Sequence, residues 1–111
     1  MRTLKFIVEG QIIKPDPNCD FSDLVPGTSG YLLAEFSFSP EWSKYVKVAR
    51  FFSVMGKEYP AKLITREKTC EIPLEALKRR VFKIQIVGRE GEDKKTITTN
   101  KVVIHQNGGK M

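Results

Sequence analysis

The alternation of apolar and polar residues is the feature that most restricts this chain. Leu4, Phe6 and Val8 alternate with Thr3, Lys5 and Glu9, with Ile7 out of phase. Leu32, Ala34, Phe36 and Phe38 alternate with Glu35 and Ser37, and Phe82, Ile84 and Ile86 with Lys83 and Gln85. Side chains of an extended strand point to opposite faces in turn, so period two marks a strand with one face in a core and one in water. Segments 45–54 and 58–64 are rich in Val, Phe, Tyr and Ile, and Met55-Gly56-Lys57 between them reads as a hairpin turn. A last strand pair is expected at 81–87 and 96–105, around a polar stretch in which Gly91 is available for a positive φ.

Only 72–78 reads as helix. Pro73 suits a first helical turn, Leu74 and Leu77 supply the apolar side, and the segment is two turns at most. About seven short strands and one short helix predict an all-β fold, a two-sheet antiparallel sandwich of immunoglobulin type. A small closed barrel is the alternative. Trp42, the sole tryptophan, stands just before a central strand and is expected to plug the core between the sheets. At 111 residues the chain is expected to be a single domain over 1–111, with a flexible tail at 106–111.

Residues 15–30 break the pattern. They are rich in Pro, Gly, Asp and Ser and carry no strand signal. A long connection without structure of its own is uncommon in a compact domain and marks a binding loop or a disordered bridge. The segment also divides the charge. It holds Asp16, Asp20 and Asp23 and no Lys or Arg, so it is −3, and the net +6 of the chain leaves +9 elsewhere. The basic residues gather as Lys78, Arg79, Arg80 and Lys83, and as Lys94, Lys95 and Lys101. Such clusters bind phosphates when they share a face and aromatic rings are free to stack on bases. Here the rings occupy inward positions of the alternation, which favours a solvated basic surface that keeps edge strands soluble. The acidic loop and the clusters of Lys78–Arg80, Lys83, Lys94 and Lys95 are the candidate partner-binding residues.

No catalytic pattern is legible. His105 is the only imidazole and lies at the end of the last strand, so a Ser–His–Asp or Cys–His arrangement has one candidate and no local support. Glu71 and Glu75 straddle Pro73 without a spacing that sets two carboxyls across a cleft. Gly108-Gly109 opens no helix and makes no phosphate loop. Cys19 and Cys70 have no CxxC partner, and a zinc site needs about four locally paired ligands, so neither a metal nor a cofactor is expected. The apolar run at the N-terminus is broken by Lys5 and Glu9, which is not a secretory signal. No stretch approaches the ~18 apolar residues of a spanning helix. Synthesis in a cytoplasm is therefore expected, with no membrane partner and with both cysteines as free thiols rather than a disulfide. The chain reads as a non-enzyme.

A set of motifs recurs in order along residues 3–107. It comprises an opening strand LKFIVEGQ, a Phe36-Ser37-Phe38 strand end followed by Trp42, an Ile72-Pro73-Leu74-Glu75-Ala76-Leu77 helix start, and Thr98-Thr99-Asn100 in the last strand. In that order they resemble the small immunoglobulin-like domain found in tail and baseplate proteins of phages of Gram-positive bacteria, including the N-terminal domain of upper baseplate proteins. The acidic loop is longer than that resemblance leads one to expect between the first two strands. The resemblance implies a structural role: a phage or prophage accessory domain in the virion, with other virion proteins and a second copy of itself as partners. Its ending at Gly108-Gly109-Lys110-Met111 suits an adaptor without a receptor-binding module. The alternative is a small phage effector or inhibitor that holds a host nuclease or nucleic acid by its basic face.

Overall fold

The computed structural model describes residues 1–91 and 95–106. In chain order the strands are β1 (Arg2–Glu9), β2 (Ile12–Pro15), β3 (Leu32–Phe38), β4 (Val46–Ser53), β5 (Lys62–Leu63), β6 (Thr69–Glu71), β7 (Val81–Glu90), β8 (Lys95–Thr98) and β9 (Val102–His105). A 3-10 turn at Pro40–Trp42 precedes β4, and a single α-helical turn, α1 (Leu74–Leu77), precedes β7. One sheet has the order β2-β1-β3-β6; the other has the order β5-β4-β7-β8, with β9 also on β7. The fold is an all-β two-sheet sandwich, as the alternation predicts.

Between the sheets lie Leu4, Phe6 and Val8 of β1, Ala34 and Phe36 of β3, Ala49 and Phe51 of β4, and Phe82, Ile84 and Ile86 of β7, all buried. Each large apolar side chain withdrawn from water in this way contributes about 1.5–3 kcal/mol. Rings link the layers. Phe21, Phe6, Phe36, Phe38, Trp42 and Tyr45 follow one another with centroids 5.4–6.0 Å apart. Trp42 is fully buried and its indole N–H donates to Gly10 O at 2.9 Å, so it plugs the core with its polar atom satisfied. Gly88 of β7 makes room for it: a Cβ there would stand 2.7 Å from the Trp42 ring.

The sheets are not wholly antiparallel. β1 and β3 run parallel, with Arg2 opposite Leu32 and Val8 opposite Phe38. Parallel neighbours cannot be joined by a tight turn; the chain must return along the whole strand, which takes a dozen or so residues. That requirement accounts for the long loop. The two-residue turn Gly10-Gln11, with Gly10 at φ +56°, sends β2 back beside β1 from Glu9 to Phe6. Where β2 stops, the loop continues down the same edge. Asp16 N–H donates to Lys5 O at 2.9 Å, Lys5 N–H to Cys19 Sγ at 3.3 Å, and the Arg2 guanidinium reaches the carbonyls of Asp20, Ser22 and Asp23. Phe21 packs edge-on against Phe6 and Leu24 is buried. The segment is an ordered cover for a strand edge that would otherwise expose unpaired backbone groups.

Four further differences from the sequence reading have physical causes. β2 was not foreseen, because it is short and only Ile13 of it is buried. The expected last strand is two strands. Val87 faces Thr98 and Ile84 faces Val102, so β7 has Gln85 and Ile86 where its partner has Thr99, Asn100 and Lys101. The extra residue is a bulge, which exchanges the inward parity from Thr99 to Val102 and Ile104. Gly91 does not take the left-handed conformation. Gln106, assigned to the tail, is buried: its N–H donates to Arg80 O, and its amide donates to Leu77 O and Arg79 O at 3.0 and 2.8 Å. Residues 107–111 lie outside the described residues.

Candidate functional site

Among the described residues no cluster of His, Cys, Asp and Glu is arranged to hold a metal ion. His105 is exposed at the end of β9, opposite Val81. Glu71 and Glu75 are both exposed. Cys19 and Cys70 are free thiols. Cys70 is buried in β6, and desolvation pushes its thiol up to about 12, a neutral side chain of the core. No described helix is long and apolar enough to cross a membrane.

The acidic loop lies at the β1 edge. Asp16 Oδ1 accepts from Asn18 N–H at 2.9 Å, and Asp20 Oδ1 accepts from Ser22 N–H and Oγ–H at 2.8 and 2.6 Å. The Ser22 hydrogen bonds hold the Asp20 carboxyl below its ordinary value, with the Arg2 charge adding to them. Asp23 sits at φ +58°, a conformation that Asp tolerates better than most residues. Two of the three acids are therefore the side chains that shape the loop's own turns.

The basic residues do not form one face. Lys78, Arg79 and Arg80 follow α1 and are exposed at the start of β7, while Lys95 opens β8 beside Glu90. At ~3.3 Å per residue the ends of β7 (Val81–Glu90) lie about 30 Å apart. Lys83, the third residue of β7, is half-buried close to the Val81 end, on the outer face of the sheet opposite Phe52 and Val103. Lys101 belongs to neither end: its Nζ stands 3.9 Å from the centre of the Phe52 ring. Lys94 lies outside the described residues.

A surface that the sequence reading did not single out is the outer face of the β5-β4-β7 sheet. It carries a groove of about 610 Å³ walled by Val46, Val48, Ala61 and Val87, with Arg50, Glu58 and Arg89 at its rim. Val46 is 61% exposed and the adjoining Leu63 is 65% exposed. Arg50 forms a two-pronged ion pair with Glu58, at 2.8 and 2.7 Å, and those hydrogen bonds lower the Glu58 carboxyl and raise the guanidinium. The signal lay in β4 itself. Val46, Val48 and Phe52 share one parity while Ala49 and Phe51 share the other. A strand apolar on both faces needs a second cover, and here Phe52 receives one, from Arg50 and Lys101, while Val46 stays exposed.

The α1–β7 corner is a second, basic surface. Val54, Met55, Lys57, Tyr59, Arg79 and Arg80 line a groove there of about 470 Å³. Gln106 fixes its backbone through the carbonyls of Leu77, Arg79 and Arg80, and Gly27 N–H also reaches Leu77 O at 2.8 Å. The chain matches no protein-family model and no curated protein sequence.

Proposed function

We propose that this domain is a non-enzymatic accessory component of a phage or prophage virion, placed in the tail or baseplate and working by contact with other virion proteins and with a second copy of itself. The observation that carries the contact role is the apolar groove on the outer face of the β5-β4-β7 sheet. Uncovered apolar area of this kind, rimmed by charges, marks a protein-binding surface. The order of the Phe-x-Phe…Trp, Ile-Pro-x-Glu and Thr-Thr-Asn motifs supports the virion setting. The placing of Lys78, Arg79 and Arg80 at one end of β7 and Lys95 at the other, about 30 Å apart, disfavours the alternative, a continuous nucleic-acid-binding face.

Co-expression with the virion proteins encoded beside it tests the reading, with solution mass measured at low and high salt. Binding of a co-encoded virion protein, lost in Val46→Asp, is the expected result; the exposure of Val46 lets the fold tolerate the charge. A protein that stays monomeric at every salt concentration and captures no co-encoded virion protein overturns it. So does a gel shift of nucleic acid at moderate salt with no protein partner.

A further inference from the structure

We infer that the corner between the β4 hairpin tip and the start of β7 is a binding site for an acidic, partly apolar segment of a partner protein. The inference rests on the protein-contact reading above and assigns a partner chemistry to a second surface. Two observations meet there. The charged walls of the groove are all positive: Lys57, Arg79 and Arg80 are exposed, and among the described residues none of their side chains makes an ion pair or hydrogen bond. The apolar wall is uncovered, with Met55 93% and Val54 55% exposed.

For a surface with these unpaired cations the best-fitting group is an anionic oxygen, which accepts from guanidinium and ammonium donors together. A carboxylate on a chain that also offers an apolar side chain to Val54 and Met55 uses every feature of the site. The adjoining groove adds Lys78 but also Glu58 and Glu75, so the acid is placed on the Arg79–Arg80 side. A nucleic-acid strand uses the positive charge but leaves the apolar tip without a role. The corner is rigid enough to recognise a ligand, because Gln106 and Gly27 hold its carbonyls.

Fluorescence polarisation with the whole protein tests this, using a labelled peptide of alternating Glu and Leu. Binding is expected at low salt, weakening as salt rises. Arg79→Glu is expected to weaken it by about tenfold, and Met55→Ser, at a residue 93% exposed, to weaken it without lowering the unfolding midpoint. Lys95→Glu, at the far end of β7, leaves it unchanged. The site is overturned if Met55→Ser and Arg79→Glu bind the peptide as the parent does, if a Gln-and-Leu peptide binds equally, or if a single-stranded oligonucleotide of equal charge competes as well as the peptide. Loss of the peptide result alongside retained, Val46-dependent capture of a virion protein removes this site and leaves the functional reading standing.

Discussion

The side-chain amide of Asn100 gives Ile13 both hydrogen bonds that a neighbouring strand would give: Ile13 N–H donates to Oδ1 at 2.7 Å, and Nδ2–H donates to Ile13 O at 3.2 Å. Ile13 is in β2, at the edge of one sheet; Asn100 is in the bulge between β8 and β9, at the edge of the other. One side chain thus closes the sandwich where two strand edges meet. Asn100 N–H adds a third bond, to Gln11 O at 3.1 Å.

Asn100→Ala leaves the Ile13 groups without partners at a half-buried seam. A loss of about 1–3 kcal/mol is expected, read as a lower urea midpoint with an unchanged slope. Asn100→Asp keeps the acceptor and loses the donor, and is expected to fall between the two. An Ala variant with the parent midpoint would show that the clasp contributes nothing.

Gly88→Ala forces a methyl to within 2.7 Å of the Trp42 ring and 2.9 Å of Tyr45 Cβ. Both neighbours are large and one is fully buried, so the strain is expected to cost about 1–3 kcal/mol. Because Trp42 is the only tryptophan, its fluorescence reports this site alone, and a shifted emission maximum in the folded variant is the accompanying sign.

Arg2→Ala removes the guanidinium bonds to Asp20 O and Ser22 O, at 2.9 and 2.6 Å, and the longer one to Asp23 O. Faster amide hydrogen exchange is expected across 18–24, with exchange in β7 unchanged at native-state openings. Equal acceleration everywhere would mean that Arg2 supports the fold as a whole rather than the loop.

Cys70 links stability to alkaline pH. Its thiol is raised from an ordinary 9.0 to about 12 in the folded protein. The contribution is therefore complete below pH 9 and is lost as pH rises between these values, because the unfolded chain ionises first. The parent is expected to lose about 1.4 kcal/mol by pH 10 relative to Cys70→Ala, in paired urea titrations. A thiol reagent at neutral pH should modify Cys19, which is half-buried, well before Cys70.

The fold was legible in the strands that alternate cleanly: those around Phe6, Phe36 and Ile84 lie where their period places them, because one face of each is buried. Phe36, Phe38 and Trp42 form the ring contacts that their spacing suggests. The parallel pairing of β1 and β3 was not legible, since alternation fixes a strand's faces and says nothing of its neighbour's direction. The loop's length was the clue to it, and its acidity pointed elsewhere, to a partner. The groove by Val46 and the corner by Tyr59 arise from residues distant in sequence, so no local pattern announces them.

The parallel β1–β3 pair also sets a timetable. During synthesis β1 and β2 leave the ribosome together and have a two-residue turn to form a hairpin at once, but the core face of β1 has no partner until Leu32–Phe38 appear. Asn100 and Gln106 come later still, so the seam and the α1 corner are the last to form. A chain whose first strand waits this long pairs far along the sequence, and folding on the millisecond-to-second scale follows. During that wait the exposed apolar face of the N-terminal hairpin is the surface most in need of a chaperone.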